Sequence, residues 1–212
     1  KHLVDALVST EDERFYDHSG IDAKRTFGAA LQLGSNGGAS TLTQQLAKLL
    51  FHGEGSKFLP FRIVQKAKEW IIAIRLERQY TKNEIIALYF NQVDFVNGAV
   101  GIRSAAKVYF NKEPRNLTIE ESALLVGMLT NPSRFNPNRF PERALTRRNI
   151  VLGQLVRNNH LEESAKAILA KKPIKLDFHP ESHLDGTATY FREYLRDFMK
   201  NWVKENKKPD GE

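Results

Sequence analysis

The chain has no cysteine among its 212 residues, which excludes disulfides and thiolate metal sites and leaves the redox compartment open. No apolar run approaches the roughly 18 residues that a membrane-crossing helix needs, and no signal-peptide pattern opens the sequence. Because Lys1 already sits inside a helical pattern, the chain reads as an excised fragment. Strand-like alternation of apolar and polar residues is nearly absent, and there is neither an internal repeat nor a low-complexity tract. What remains is a helical globular domain.

Hydrophobic residues make up 41% and charged residues 27%, an ordinary globular balance that rules out a disordered or fibrous chain. At this length one well-buried core with a small appendage is expected. Lysine and arginine total 32 against 25 acidic residues, for a net charge of +7 and a sequence pI near 9.5. That balance suits nucleic acid, anionic lipid or a phosphorylated substrate, and charge alone does not choose among them. No nucleic-acid-binding motif and no basic stripe with interleaved aromatics is present, so nucleic acid is not expected as a partner.

Helix signals are frequent. Thr41-Leu-Thr-Gln44 has the form of a capping box, with Leu42, Leu46, Leu49 and Leu50 following as a buried stripe and Thr41, Gln45 and Lys48 on a neighbouring polar face. The same box recurs at Thr81 to Glu84 and at Thr118 to Glu121, each before an apolar run. Further helices are predicted over 63–78 and from Pro141 to about Val156. Glycines at 34–38 and 53–55 bracket the Thr41 helix, and Asn97-Gly98 with Gly101 marks another irregular segment. Beyond Pro173 the pattern weakens, then resumes as an aromatic stripe of Tyr190, Tyr194, Phe198 and Trp202 that wants a partner surface. The domain boundary is placed near Asn158, giving a domain over 1–158 and a helical tail or linker over 159–212.

Glu11-Asp12-Glu13-Arg14-Phe15-Tyr16-Asp17-His18-Ser19-Gly20 packs four carboxylates, an aromatic pair and a histidine before a glycine. A carboxylate held in a partly dry cleft near a hydroxyl works as a general base, whereas on composition alone such acids read as a solvated helix end. The cations Lys48 and Arg75 by themselves are ordinary helix-face charge, and Thr41 and Gln44 are explained by capping. Gln45 is the better ligand candidate.

Glu11, Asp12, Phe15, His18 and Gly20 match the opening motif of the peptidoglycan glycosyltransferases, the domain found in class A penicillin-binding proteins and monofunctional transglycosylases. Gly38-Ala-Ser-Thr-Leu-Thr-Gln-Gln-Leu-Ala-Lys48 resembles the second motif, Lys66, Lys68 and Glu69 the third, Lys82, Ile85, Tyr89 and Asn91 the fourth, and Arg147 to Leu152 the fifth. The match is collinear over about Ala6 to Leu155. It departs from the family pattern at Gln65, where arginine is usual, at Ala87 and Phe90, where glutamate and leucine are common, and at Phe61 or Arg62, where an arginine contacts pyrophosphate.

The resemblance implies a mainly α, lysozyme-like fold with a larger lobe and a smaller membrane-facing lobe around a long cleft. It makes Glu11 the base that deprotonates the acceptor sugar 4-hydroxyl. Glu69 becomes a second carboxylate that orients substrate or helps hold a divalent cation, magnesium or manganese. Ser40, Thr41, Gln44, Gln45, Lys48, Lys66, Arg75 and Asn91 become substrate contacts. The implied partners are lipid II, the growing glycan chain, a membrane surface, a C-terminal transpeptidase domain and the cell-wall synthesis machinery. The implied place is the extracytoplasmic face of the bacterial cytoplasmic membrane, with an anchor in the full-length protein. A diphosphate leaving group needs fixed positive charge more than a protonating acid, and single displacement inverts α to β.

The runner-up is a lysozyme-like lytic enzyme that cleaves the same polymer, since a glutamate in a helical glycan cleft serves either direction. The apolar segment 49–61, interrupted by Gly53 and Gly55 and beside Lys57 and Arg62, fits either a loop dipping into a membrane interface or a packed internal loop. Two local matches are set aside. Ser104-Ala-Ala-Lys107 lacks the companion elements of penicillin-reactive enzymes and reads as helix, and His179 with His183 lacks a third ligand.

Overall fold

The structure is a computed structural model that describes residues 1–24, 40–51, 59–180 and 189–205. The glycine-bearing stretches at 34–38 and 53–55 lie outside the described residues, as do Phe58 and His183. Two compact units divide at His179 and Pro180.

The first unit is mainly helical, as expected, and among its described residues the only β pairing is an isolated antiparallel bridge between Asp94 and Val100. It is built from α1 (His2–Glu11), α2 (Leu42–Phe51), α3 (Leu59–Gln79), α4 (Lys82–Gln92), α5 (Gly101–Phe110), α6 (Ile119–Met128), α7 (Pro141–Arg157) and α8 (Glu163–Lys171). The capping boxes at Thr81 and Thr118 are complete. Each threonine accepts from the backbone of the glutamate three residues on, and that glutamate reaches back to the cap nitrogen. At the start of α2 only half the box forms. Thr41 Oγ1 accepts from Gln44 N at 3.2 Å, but the Gln44 side chain donates to the Gly20 carbonyl. The Gln44 amide thereby ties the start of α2 to the backbone at Gly20.

α6 carries the centre of the core, with every residue from Ser122 to Met128 buried, and it packs against α1 and α7. α1 answers with Ala6, Leu7 and Val8, all buried, so the helix that ends at Glu11 is anchored along its length. On the other side, α2 packs against α3 and α4. α5 ends at Asn111 in the left-handed conformation, a position asparagine tolerates. Its Tyr109 hydroxyl donates to the Phe95 carbonyl at 2.8 Å, and burial pushes the phenol up to about 12.

The boundary expected at Asn158 falls inside this unit. α8 packs on α7, where the buried Arg148 donates to the Leu169 and Ala170 carbonyls at the end of α8. Beyond it Ile174, Leu176 and Phe178 pack against the core in extended chain, and Asp177 and His179 donate backbone bonds to α5. These alternate residues bury one face of a segment that has no helical period, so a helix-based reading passes over it.

In the second unit α9 (Thr189–Glu205) carries the expected aromatic stripe, with Tyr194 stacked on Phe198 at 6.4 Å. Phe191, Tyr194, Phe198 and Trp202 are each more than half exposed. Ser104 and Lys107 lie within α5, in accord with the helical reading, and His179 pairs with Asp177 at 2.7 Å.

Gly20 sits where no other residue fits. Its φ is +90°, and a Cβ there would lie 2.9 Å from the backbone carbon and oxygen of Ala73 on α3. Gly20→Ala is expected to destabilise the domain by about 2 kcal/mol or more, because neither backbone can yield. The urea midpoint measures it, and a shift under a few tenths of a molar would contradict this packing.

Candidate active site

The last turn of α1 and the start of α2 meet through Asp12. Its side chain is buried, and Oδ2 accepts from the Leu42 backbone N–H at 2.9 Å and pairs with His18 Nε2 at 3.0 Å. A carboxylate at a helix N-terminus satisfies one of the orphan amides and lies at the positive end of the helix dipole. Thr41 adds a second tie, donating from Oγ1 to the Gly20 carbonyl at 2.7 Å. Thr41 and Gln44 are fully buried and bond to the chain itself, so both side chains are turned inward.

Glu11, one residue before Asp12, is only partly buried. Its Oε2 accepts from Gln45 Nε2 at 3.1 Å, and Gln45 Oε1 accepts from the Tyr89 hydroxyl at 3.1 Å. Burial, followed by the negative charge of Glu11, pushes the Tyr89 phenol far above the usual tyrosine range, so it remains a donor. Gln45 therefore answers to α1 on one side and α4 on the other.

A second polar group forms around α3. Lys66 Nζ donates to Ser40 Oγ at 2.7 Å and to Glu69 Oε2 at 2.8 Å. Glu69 is buried to 9% exposure while the Lys66 side chain keeps 39%, so the ammonium sits at the rim above the carboxylate. Among the described residues no three His, Cys, Asp or Glu side chains cluster as a metal site.

Beneath these groups lies a link absent from the expected site residues. Lys82 at the start of α4 donates to the His18 carbonyl, pairs with Glu77 of α3 at 2.8 Å and stands 4.3 Å from the Phe15 ring centroid. Glu77 also accepts from Thr43 of α2. The only sequence signal was the placing of Lys82 in the fourth motif. Nothing in one dimension couples Glu77 and Thr43 to it.

The remaining candidates stand apart from these bonds. Lys48 and Arg75 are exposed, on α2 and α3, and Asn91 is exposed near the end of α4 with its backbone carbonyl against Gly101. The ends of α2 and α3 also share an apolar surface. Phe51, Phe61, Ile63 and Ile71 are each more than half exposed, and Phe51, Lys68, Ile71 and Ile72 line an open groove of about 320 Å³.

Removing the Lys82 ammonium would leave the Glu77 carboxylate, 6% exposed, without its cation. Lys82→Met is expected to lower stability by about 2–4 kcal/mol, and Glu77→Gln on that background to recover part of it. Chemical denaturation of the two single variants and the double variant gives the coupling, and strict additivity would show that the pair does not act as a unit.

The transglycosylase family model matches residues 1–156. Penicillin-binding protein 1F of Bacillus subtilis is 39% identical over 199 residues, covering 92% of this chain and 27% of that protein. Penicillin-binding protein 1A of Escherichia coli is 37% identical over 215 residues, covering 99% of this chain and 24% of that protein. A crystal structure of penicillin-binding protein 1A from Haemophilus influenzae matches 78% of this chain and 20% of its own, at 23% identity and a TM-score of 0.46. The chain thus spans about a quarter of the length of the curated relatives it matches. With the family model matching most of its length, the chain belongs to the transglycosylase family.

Proposed function

We propose that this domain polymerises lipid II into β-1,4-linked glycan strands, releasing undecaprenyl diphosphate, with Glu11 as general base. The observation that carries the reading is the Glu11 carboxylate at the end of a core-anchored helix, with one oxygen held by Gln45 at 3.1 Å. In this scheme the acceptor 4-hydroxyl gives its proton to Glu11 as its oxygen attacks the anomeric carbon, and the diphosphate leaves from the opposite face with inversion. The leaving group gathers negative charge, which fixed cations stabilise more in the transition state than in bound substrate. Lys66, braced by Ser40 and Glu69, is one such cation, and Lys48 and Arg75 are the others.

A divalent cation fits only in part. Glu69 is a single carboxylate already paired with Lys66, so magnesium or manganese would need the substrate's phosphates as its other ligands, a common mode for magnesium. When bound it would add charge neutralisation at the diphosphate.

The exposed apolar ends of α2 and α3, beside Lys68, support contact with a membrane surface, where a polyprenyl-linked substrate resides. In this reading the domain rests on the extracytoplasmic face of the membrane, and no helix among the described residues is long and apolar enough to cross it. The names of the relatives, penicillin-binding proteins of which this chain covers about a quarter, support a transpeptidase domain and cell-wall synthesis machinery as partners.

Glu11→Gln is expected to lower lipid II consumption by at least about a hundredfold, the typical loss of general-base assistance, with melting behaviour unchanged. A folded variant with near-wild-type turnover would refute the role. Cleavage of preformed glycan without any dependence on a lipid diphosphate would instead favour a lytic enzyme.

Lys48 lies one helical turn beyond Gln45 on α2. Lys48→Ala should cut turnover by about tenfold or more while the surface control Lys171→Ala does little, and Lys48→Arg should rescue only partly because its planar donors are placed differently. Equal activity of the two alanine variants would make Lys48 a solvated helix residue.

A further inference from the structure

We infer that Tyr89 is a positioning residue for the general base, acting on Glu11 through the Gln45 amide. The inference rests on the proposed role of Glu11. The Gln45 side chain joins α1 and α4, donating to Glu11 at 3.1 Å and accepting from Tyr89 at 3.1 Å. An amide can turn either its NH₂ or its carbonyl toward a neighbour, and the two are not equivalent beside a carboxylate. With the carbonyl toward Glu11 two acceptors would face each other. The Tyr89 hydroxyl, donating to that carbonyl from the opposite side, holds the NH₂ toward Glu11.

Tyr89 is suited to this in two ways. It is 3% exposed, its ring packed edge-on to Phe90 at 6.2 Å, so the hydroxyl is held by the core of α4 and not by solvent. Its neighbours on the helix, Ile85, Ile86 and Phe90, are buried as well, so this face of the helix is packed into the core. Gln45, by contrast, is only partly buried and has a flexible side chain. Without Tyr89 it would sample other rotamers, and Glu11 would lose a donor that fixes the rotation of its carboxylate. The cost falls on the chemical step and not on substrate capture, because misplacing a base weakens near-attack geometry while leaving the binding contacts in place.

The test uses Tyr89→Phe, which keeps the ring, with Gln45→Ala and the double variant. Tyr89→Phe is expected to lower kcat for lipid II by about fivefold or more with KM within about twofold, and to cause no further loss in the Gln45→Ala background. An equal further loss in that background, or a change confined to KM, would overturn the inference. The Gln45 side-chain amide signal, read by NMR without substrate, should move toward that of a free glutamine in Tyr89→Phe, and an unmoved signal would also overturn it. If Tyr89→Phe does not fold, the wild-type protein decides: a cross-peak between the Tyr89 hydroxyl proton and the Gln45 amide is expected, and its absence refutes the contact. Failure of the wild type to consume lipid II would defeat the proposed function while leaving the NMR arm to judge the tether.

Discussion

The Lys82 ammonium is the interaction on which the site's construction depends. Taken from water, a lysine must be repaid by opposite charge and by acceptors, and here Glu77, the His18 carbonyl and the Phe15 ring surround it. Phe15 and His18 come from the first-motif loop and Glu77 from α3, so the cation joins two distant stretches to its own helix. Because Glu77 also takes the Thr43 hydroxyl, one cation ties the first-motif loop to α2, α3 and α4. Such a cluster constrains geometry more than it adds net stability, since the desolvation of both charges offsets most of their attraction.

On that base the polar groups divide by depth. Asp12, Thr41 and Gln44 are buried and each bonds a backbone group, so they hold the N-terminus of α2 in place. Glu11, Gln45, Ser40 and Lys66 lie nearer the surface, where they could meet a substrate, and each is braced by one of the deeper elements. The adjacent acids Glu11 and Asp12 illustrate the division. Asp12 neutralises the N-terminus of α2, and Glu11 ends α1 with its carboxylate partly accessible.

Much of the helical framework could be read from the chain itself. The boxes at Thr81 and Thr118 form in full because both members of each lie within one turn and need no distant partner. At Thr41 the threonine half of the box forms, and the Gln44 amide donates to the distant Gly20 carbonyl. A helical tail is legible beyond Asn158, but the docking of α8 on α7 and the extended run through Ile174, Leu176 and Phe178 are not, since a period of two carries little signal against a helical background. Lys48 and Arg75 could be named from motif position, yet their exposed placement on α2 and α3 follows only from how those helices pack.

The helical class, the glutamate at the end of α1 and the family indicated by the motif order are legible in the chain alone, because those depend on local periodicity, capping and collinear residue identities. Which polar residues are scaffold and which face outward follows from the fold. It paired Lys82 with Glu77, Glu11 with Gln45 and Lys66 with Ser40, contacts that span 5, 34 and 26 positions. The physical reason is that a hydrogen bond or ion pair is satisfied by whatever partner the packing of apolar faces brings within 3 Å, and that packing is a property of all the helices together.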